Sequence, residues 1–185
     1  MPFRRRKSYD APALYEYAVG ALGRKMRSVA ELKRLLRQRV AGAEDAEVLV
    51  EAVVAKLKEQ RYLNDAQYAA AYSSYRRENE KFGKRRVVTD LKAKGVHGEV
   101  IEKAVSEAYA GVDEERLARA FLARKRVKKP RDGREAARTF RTLLRAGFAS
   151  RTALRILKKW EVEDEVISAL ETEAAEPPTA PDGGE

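Results

Sequence analysis

Apolar residues recur at the spacing i, i+3, i+4 and i+7 in almost every segment between Ala13 and Leu170, and no strict alternation extends over four or more positions. This period matches one face of an α-helix, whereas a half-buried strand requires alternation. The sequence therefore predicts an all-α protein. With 44% hydrophobic residues over 185 positions, the chain has enough apolar side chains for one globular unit or a short array of small modules.

Local signals place the ends of the helices. Ser28-Val-Ala-Glu31 has the pattern of a capping box, so a helix should begin there after a first helix that runs to about Lys25. Gly95 and Gly147 should each end a helix, and Pro130 should break another. The later helices are predicted over 45–60, 64–79, 84–94, 98–110, 113–128, 132–146, 150–160 and 164–171. The 45–60 helix should bury Val48, Leu49, Ala52, Val53 and Leu57.

The helical pattern repeats along the chain. Leu91-Lys-Ala-Lys-Gly95-Val96 aligns with Leu143-Leu-Arg-Ala-Gly147-Phe148, although no glycine stands at the corresponding Arg39-Val40 of the first cycle. A rival alignment pairs residues 150–157 with 28–35, but the first gives three helices per unit throughout. Such units should stack into an elongated, curved array of three tandem three-helix repeats. The expected segments are a basic tail (1–10), the repeats (11–62, 63–111 and 112–171, the third with a helical extension) and a disordered acidic tail (172–185).

Charge is distributed unevenly. The formal net charge is +10 and the pI about 9.8, which favours polyanionic partners. Residues 116–159 hold sixteen lysines and arginines against two carboxylates, a net charge of +14, whereas residues 161–185 carry nine carboxylates and no cation. We therefore expect the acidic segment to compete with polyanions for the basic face.

Two basic clusters are the candidate partner-binding residues. One surrounds the turn between the fourth and fifth helices and continues along the fifth, and the other lies near the end of the seventh. Cations at helix C-termini and on solvated faces are common in any protein, but two such clusters exceed what solubility requires. An anionic partner, DNA phosphates or an acidic protein groove, is therefore predicted for Arg76, Arg77, Lys81, Lys84, Arg85, Arg86, Lys92, Lys94, Arg124, Lys125, Arg126, Lys128 and Lys129.

Catalytic chemistry is not indicated. The chain lacks cysteine, and His97 is its only histidine, placed in a short turn where it should simply face solvent. No phosphate-binding loop pattern occurs, and the carboxylate pairs stand at helix starts, where they complement the helix dipole. We expect a non-enzymatic protein without metal, cofactor or small-molecule substrate. No apolar run approaches the roughly 20 residues that span a bilayer, so a cytoplasmic protein with no membrane contact is expected.

Aromatic residues on the helices allow two interpretations. Tyr68, Tyr72 and Tyr75 form one stripe of the fourth helix and could stack on unpaired bases, but such a stripe more often packs against neighbouring helices. Trp160, at the end of the ninth helix, is expected to be a packing residue.

Four elements resemble the RecX family, in order and spacing, over about residues 12–160. The segment Arg61-Tyr-Leu-Asn-Asp65-Ala-Gln-Tyr68-Ala resembles the family pattern G-Y-L-D-D-x-x-F/Y-A. Residues 82–96, FGKRRVVTDLKAKGV, resemble its G-P-x-R/K-I-x-x-E-L-x-x-K-G-I element. Residues 14–36 are similar to its first helical pair, and residues 143–148 to its L-L-x-R-G-F/Y element. The chain departs from the pattern at Arg61, Lys84 and Asp90, where the family usually has glycine, proline and glutamate.

The resemblance implies a regulator that lies in the groove of the RecA filament on DNA, bridges neighbouring subunits, and lowers recombinase, ATPase and co-protease activity. It implies RecA and single- or double-stranded DNA as partners, and the chain is expected to act as a monomer. Two other functions stay open at this stage: an autonomous DNA-binding module in which a helix enters a groove, as in helix-turn-helix proteins, and a scaffold for an acidic protein.

Overall fold

The predicted all-α fold is confirmed. The structure, a computed structural model, describes residues 10–175, and this range contains ten α-helices and no β-strand. The helices are α1 Ala11–Arg24, α2 Val29–Arg39, α3 Ala46–Glu59, α4 Asp65–Glu78, α5 Lys84–Ala93, α6 Gly98–Ala108, α7 Glu114–Arg124, α8 Gly133–Arg145, α9 Ser150–Lys159 and α10 Asp164–Ala175.

The chain divides into two compact units. Unit 1 consists of Met1–Ser73 and Thr89–Ala108, and unit 2 of Ser74–Val88 and Tyr109–Glu185. In unit 1, α1, α2 and α3 pack against one another around a core of leucines and valines. In unit 2, α7, α8, α9 and α10 enclose a core that contains Phe121, Phe140 and Phe148.

Capping residues fix several helix starts as predicted. The Ser28 hydroxyl accepts from the Glu31 N–H at 3.1 Å, and the Glu31 carboxylate accepts from the Ser28 N–H at 3.2 Å, which completes the capping box of α2. Asp113 and Asp132 cap α7 and α8 by accepting backbone N–H groups with their side chains. These contacts lie within one helical turn, so a short stretch of sequence determines them.

The buried face of α3 agrees only partly with the one predicted, since Val53 and Leu57 are buried and Leu49 packs partly buried against the core as expected. Val50, Val53, Val54 and Leu57 are buried, whereas Val48 is 71% exposed and Ala52 is also exposed. Two overlapping apolar stripes satisfy helical spacing on this valine-rich helix. Only the stripe that α1 and α2 cover is removed from water, and the sequence of α3 alone does not specify which one that is.

Helix α7 ends at Arg124, four residues before the predicted end at Lys128. Arg126 adopts a left-handed φ of +55°, and the N–H of Val127 donates to the Leu122 carbonyl at 2.9 Å. Val127 packs partly buried against the core of unit 2, which completes a Schellman-type helix end. The helix therefore stops before Pro130 acts on it.

Helix α10 extends four residues further than predicted, through Ala175. The rest of the predicted acidic tail, residues 176–185, and most of the predicted basic N-terminal tail, residues 1–9, lie outside the described residues.

Left-handed residues follow most of the helices. Gly42 provides one after α2, shortly beyond the Arg39-Val40 stretch, and Gly95 and Gly147 provide them after α5 and α8 as the aligned sequences predict. After α3 the left-handed residue is Arg61, with φ +61°. The N–H of the next residue, Tyr62, donates to the Leu57 carbonyl at 2.9 Å. The backbone conformation at residue 61 explains why the family pattern has glycine there.

Replacing Arg61 with glycine should raise the free energy of unfolding by about 1 kcal/mol, because glycine does not bear the cost of left-handed angles that a side chain imposes. Urea denaturation followed by circular dichroism measures the change. The matched control is Ala55→Gly, an exposed position inside α3, which should lower stability by about 1 kcal/mol. If both glycines destabilise equally, the strain assigned to Arg61 does not exist.

Each unit contains one close contact between a glycine turn that ends a helix and the start of another helix. In unit 2, the Gly83 N–H donates to the Ala146 carbonyl at 2.8 Å and the Arg85 N–H to the Gly147 carbonyl at 3.2 Å. A Cβ at Gly83 would lie 2.4 Å from the Gly147 carbonyl, and one at Gly147 would lie 2.2 Å from the Arg86 nitrogen. The contact holds the start of α5 against the turn between α8 and α9, and it leaves no room for side chains.

In unit 1, the turn after α5 meets the start of α2 in a similar way. The buried Ser28 hydroxyl donates to the Lys94 carbonyl at 2.6 Å while it accepts from Glu31. Gly95, at φ +73°, lies so close to α2 that an added Cβ would be 2.5 Å from the Cβ of Ala30. The two glycines paired by the repeat alignment thus occupy equivalent positions in their units.

Candidate functional site

The turn between α4 and α5 is anchored by Phe82. Its ring lies 5.8 Å from the ring of Phe121 in the core of unit 2. The Arg76 guanidinium lies over the same ring at 4.4 Å, and that of Arg86 at 5.9 Å. These are cation–π distances, so one partly buried aromatic residue positions two of the predicted cations. The Tyr109 hydroxyl donates to the Phe82 carbonyl at 2.8 Å, and burial raises the pKa of Tyr109, which keeps it a neutral donor.

Two adjoining concave regions of unit 2 meet at Val112 and Leu117. One has a volume of about 410 Å³ and the other about 290 Å³, and both are lined by these two residues. We call them together the basic groove, because their charged lining is mainly cationic. The cations of the larger region are Arg77, Lys81 and Arg116, and those of the smaller region are Lys84, Arg85 and Arg151.

The carboxylates of the basic groove are bound by other groups of unit 2. Glu114 accepts from the Ala149 N–H at 3.0 Å and from the Thr152 hydroxyl at 2.5 Å. Asp113 caps α7, and Glu78 forms an ion pair with Arg77. Six cations and three carboxylates line the groove, a net charge of 6 − 3 = +3, and one of the cations, Arg77, is itself the partner of Glu78. The groove therefore favours an anionic ligand or surface.

Arg116 and Arg151 were not among the predicted binding residues, although both belong to the +14 segment of residues 116–159. Arg151 is 66 positions from Arg85 in sequence, and the Gly83–Gly147 contact brings the starts of α5 and α9 to one groove. Neither residue belongs to a run of neighbouring cations in the sequence, so a search for basic clusters does not identify it.

The second predicted cluster, residues 124–129, lies at the other end of α7. Arg116 and Arg124 are two turns apart, which places their backbones roughly 12 Å from each other along the helix. Lys129 donates to Glu161 at 2.8 Å, and Arg126 forms the left-handed helix end. None of these cations lines the basic groove.

Lys92 and Lys94 belong to unit 1. Lys92 is exposed, whereas Lys94 donates to the Glu31 carboxylate at 2.9 Å and lies 5.4 Å from the centre of the Tyr72 ring. Burial raises the pKa of the Glu31 carboxyl, but hydrogen bonds from Lys94 and the Ser28 backbone outweigh it, so its pKa is lowered. Lys94 thus stabilises unit 1, and we leave it out of the proposed interface.

The aromatic stripe of α4 is mainly used for packing. Tyr68 is buried and donates to Glu31 at 3.2 Å, and Tyr72 donates to Asp90 at 3.1 Å. Tyr75 is 55% exposed. Trp160 packs against the core of unit 2, as expected, and His97 is exposed in its turn. Stacking on bases is therefore sterically open to Tyr75 but not to Tyr68.

Among residues 10–175 there is no cluster of three or more histidine, aspartate or glutamate side chains arranged to hold a metal ion. None of the helices in the described range is both long and apolar enough to cross a lipid bilayer.

Comparison with known proteins gives consistent matches. Residues 64–105 match the family model described as RecX, second three-helix domain. The regulatory protein RecX of Pseudomonas syringae pv. tomato is 32% identical over 141 residues, which cover 75% of this chain and 86% of that protein. RecX of Myxococcus xanthus is 32% identical over 167 residues, which cover 83% of this chain and 89% of that protein.

Length differs among the relatives. RecX of Geobacillus thermodenitrificans is 30% identical over 167 residues, but the match spans only 59% of that longer protein. Two solved structures share the fold. A regulatory protein RecX superposes with a TM-score of 0.65 at 20% sequence identity, and the match covers 80% of this chain and 71% of that one. RecX from Lactobacillus salivarius superposes with a TM-score of 0.58 at 19% identity, and the match covers 89% of this chain and 96% of that one.

Proposed function

The chain belongs to the RecX family of regulatory proteins, and from this we propose that it binds the RecA filament on DNA and lowers its ATPase, recombinase and co-protease activities. The basic groove of unit 2 is the observation that supports this proposal best. Its six cations come from α4, the α4–α5 turn, α5, α7 and α9, and its carboxylates are bound internally. A cationic groove of this kind is complementary to an acidic protein surface or a phosphate backbone.

The proposed contact residues are those of the basic groove together with the predicted cations that surround it. They are Arg76, Arg77, Lys81, Lys84, Arg85, Arg86, Arg116 and Arg151. Additional contacts are proposed for Lys92, Arg124, Lys125, Arg126, Lys128 and Lys129. We further propose that the protein acts without catalysis, cofactor or small-molecule substrate, as a monomer in the cytoplasm. A convergent set of acid, base and nucleophile is not found among the side chains that line the groove.

Reversing three groove cations, Lys84→Glu, Arg85→Glu and Arg151→Glu, should raise the concentration needed to inhibit RecA ATPase by roughly tenfold or more. These positions lie in the first turns of α5 and α9, where negative charge complements the helix dipole, so the variant should keep its fold. DNA-dependent ATP hydrolysis by RecA, measured against increasing amounts of the protein, gives the result.

The matched control reverses three exposed cations of unit 1, Arg34→Glu, Lys58→Glu and Lys103→Glu, with the same change in net charge. The control should inhibit RecA nearly as well as the unmodified protein. Equal loss in both variants would mean that overall charge, and not the groove, determines inhibition. Full inhibition by the groove variant would refute the assignment of the groove.

A further inference from the structure

The exposed surfaces of α8 and α9 have an unusual composition. Every exposed position of these two helices is arginine or lysine, and the remaining positions are buried or half-buried. The exposed residues are Arg134, Arg138, Arg141 and Arg145 on α8 and Arg151, Arg155, Lys158 and Lys159 on α9. The two helices pack against each other in unit 2. We call this set of eight side chains the α8–α9 face.

The composition is complete only on α8 and α9. Helices α2, α5 and α7 also expose cations and no carboxylate, but their exposed positions include Gln38, Thr89 and Ala123, respectively. The exposed positions of α6 include Glu99, Glu102 and Glu107 beside Lys103, which is the mixed pattern of an ordinary solvated surface. On α10 the exposed charged residues are all acidic. Solubility requires charge of either sign, so it does not account for eight exposed cations and no exposed carboxylate on this pair of helices. Glu135, the one carboxylate of the pair, is half-buried and forms an ion pair with Arg131.

Helix α10 supplies carboxylates to this face. Glu173 accepts two hydrogen bonds from the Arg141 guanidinium, at 2.8 and 3.0 Å, and Glu171 accepts from Lys158 at 3.1 Å. One cation from each helix is thus paired with α10. Lys159 and Arg155 share Glu115 of α7. Within residues 10–175, no ion pair involves Arg134, Arg138, Arg145 or Arg151.

We propose that the α8–α9 face binds the sugar–phosphate backbone of nucleic acid, and that Glu171 and Glu173 of α10 compete with phosphates for Lys158 and Arg141. The carboxylates of α10 then act as an internal competitor that is displaced when nucleic acid binds. This use of α10 gives part of the acidic C-terminal segment a defined position on the basic surface.

Three features favour a phosphate backbone over an acidic protein. Six of the eight side chains are arginines, whose planar guanidinium can donate two hydrogen bonds to one phosphate. The α8 arginines run from Arg134 to Arg145, eleven residue steps or roughly 16 Å along the helix, which matches several consecutive phosphates of one strand. Protein interfaces usually have an apolar or aromatic centre, and the α8–α9 face exposes no such side chain.

The test measures DNA binding without RecA, so it does not depend on the proposed regulatory function. The variant is Arg134→Gln, Arg138→Gln and Arg145→Gln, which leaves the basic groove unchanged because none of the three lines it. Fluorescence anisotropy with labelled single- and double-stranded oligonucleotides, at salt concentrations from about 50 to 200 mM, gives the affinity and its salt dependence. Circular dichroism confirms that these exposed substitutions preserve the fold.

We expect affinity to fall roughly tenfold or more and the slope of log K against log salt to become shallower by about two to three, close to one per lost phosphate contact. The control with the same charge change, Arg34→Gln, Lys58→Gln and Lys103→Gln, should alter affinity by less than about twofold and leave the slope almost unchanged. Equal effects of the two variants would overturn the proposal, since net charge alone would then explain binding.

The competition by α10 has its own variant. Glu173→Gln should strengthen DNA binding by about two- to fivefold, because Arg141 no longer has a carboxylate partner, and the gain should vanish when Arg141→Gln is added. No gain from Glu173→Gln would refute the competition. If the α8 variant keeps its DNA affinity but loses binding to poly-glutamate, the face serves an acidic protein and the nucleic-acid proposal is wrong.

Discussion

Replacing Gly147 with alanine should lower the free energy of unfolding of unit 2 by at least about 3 kcal/mol, a large effect for the addition of one methyl group. Two independent costs combine. Gly147 has φ +90°, which side chains rarely adopt, and its Cβ would lie 2.2 Å from the Arg86 nitrogen and 2.6 Å from the Arg86 Cβ. The nearest atom is the backbone nitrogen of Arg86 in the first turn of α5, and a backbone atom cannot move aside by a change of side-chain rotamer.

Urea denaturation and amide hydrogen exchange report this effect, and exchange shows whether the loss is confined to unit 2. The control is Gly23→Ala, at a helical glycine whose added Cβ would meet nothing within 4 Å, which should be neutral or stabilising by up to about 1 kcal/mol. The Gly147 variant should also lose the proposed inhibition of RecA, because the same contact holds the starts of α5 and α9 at the basic groove. A Gly147 variant as stable as the Gly23 variant would show that the close approach does not occur.

Helix existence and many helix ends could be predicted from the sequence, because they depend on residues within one or two turns. The capping box at Ser28 and the glycine stops at Gly95 and Gly147 are examples. The end of α7 could not be predicted, since Arg126 adopts left-handed angles and replaces the glycine that would have marked it. The buried face of α3 depends on where α1 and α2 pack, which no local pattern encodes.

The candidate site was only partly predictable, for a related reason. Charge counting locates cations along the chain, but it does not show which carboxylate binds each one. Lys94 and Lys129 looked equivalent in sequence to Lys84, yet their partners are Glu31 and Glu161, at distances of 2.9 and 2.8 Å. Such pairs form between distant segments after folding. Local charge therefore indicates the class of partner but not the residues that remain available for it.

Replacing Gly95 with alanine should destabilise unit 1 by about 2–4 kcal/mol. As at Gly147, the position combines a left-handed φ, here +73°, with a close approach, since the added Cβ would lie 2.5 Å from the Cβ of Ala30. Here, however, the nearest atom belongs to a side chain, and the Ala30 Cα is 4.0 Å away, an ordinary contact distance. Urea denaturation followed by circular dichroism measures the loss.

This difference makes the Gly95 variant open to rescue by a second substitution. Ala30→Gly alone should cost about 1 kcal/mol, the usual penalty for glycine in a helix. Combined with Gly95→Ala, it removes the obstructing methyl group, so the double variant should be more stable than the sum of the single losses predicts by at least about 1 kcal/mol. Strictly additive losses would show that backbone strain at Gly95 accounts for the whole effect and that α2 and the turn after α5 do not meet as closely as the structure places them.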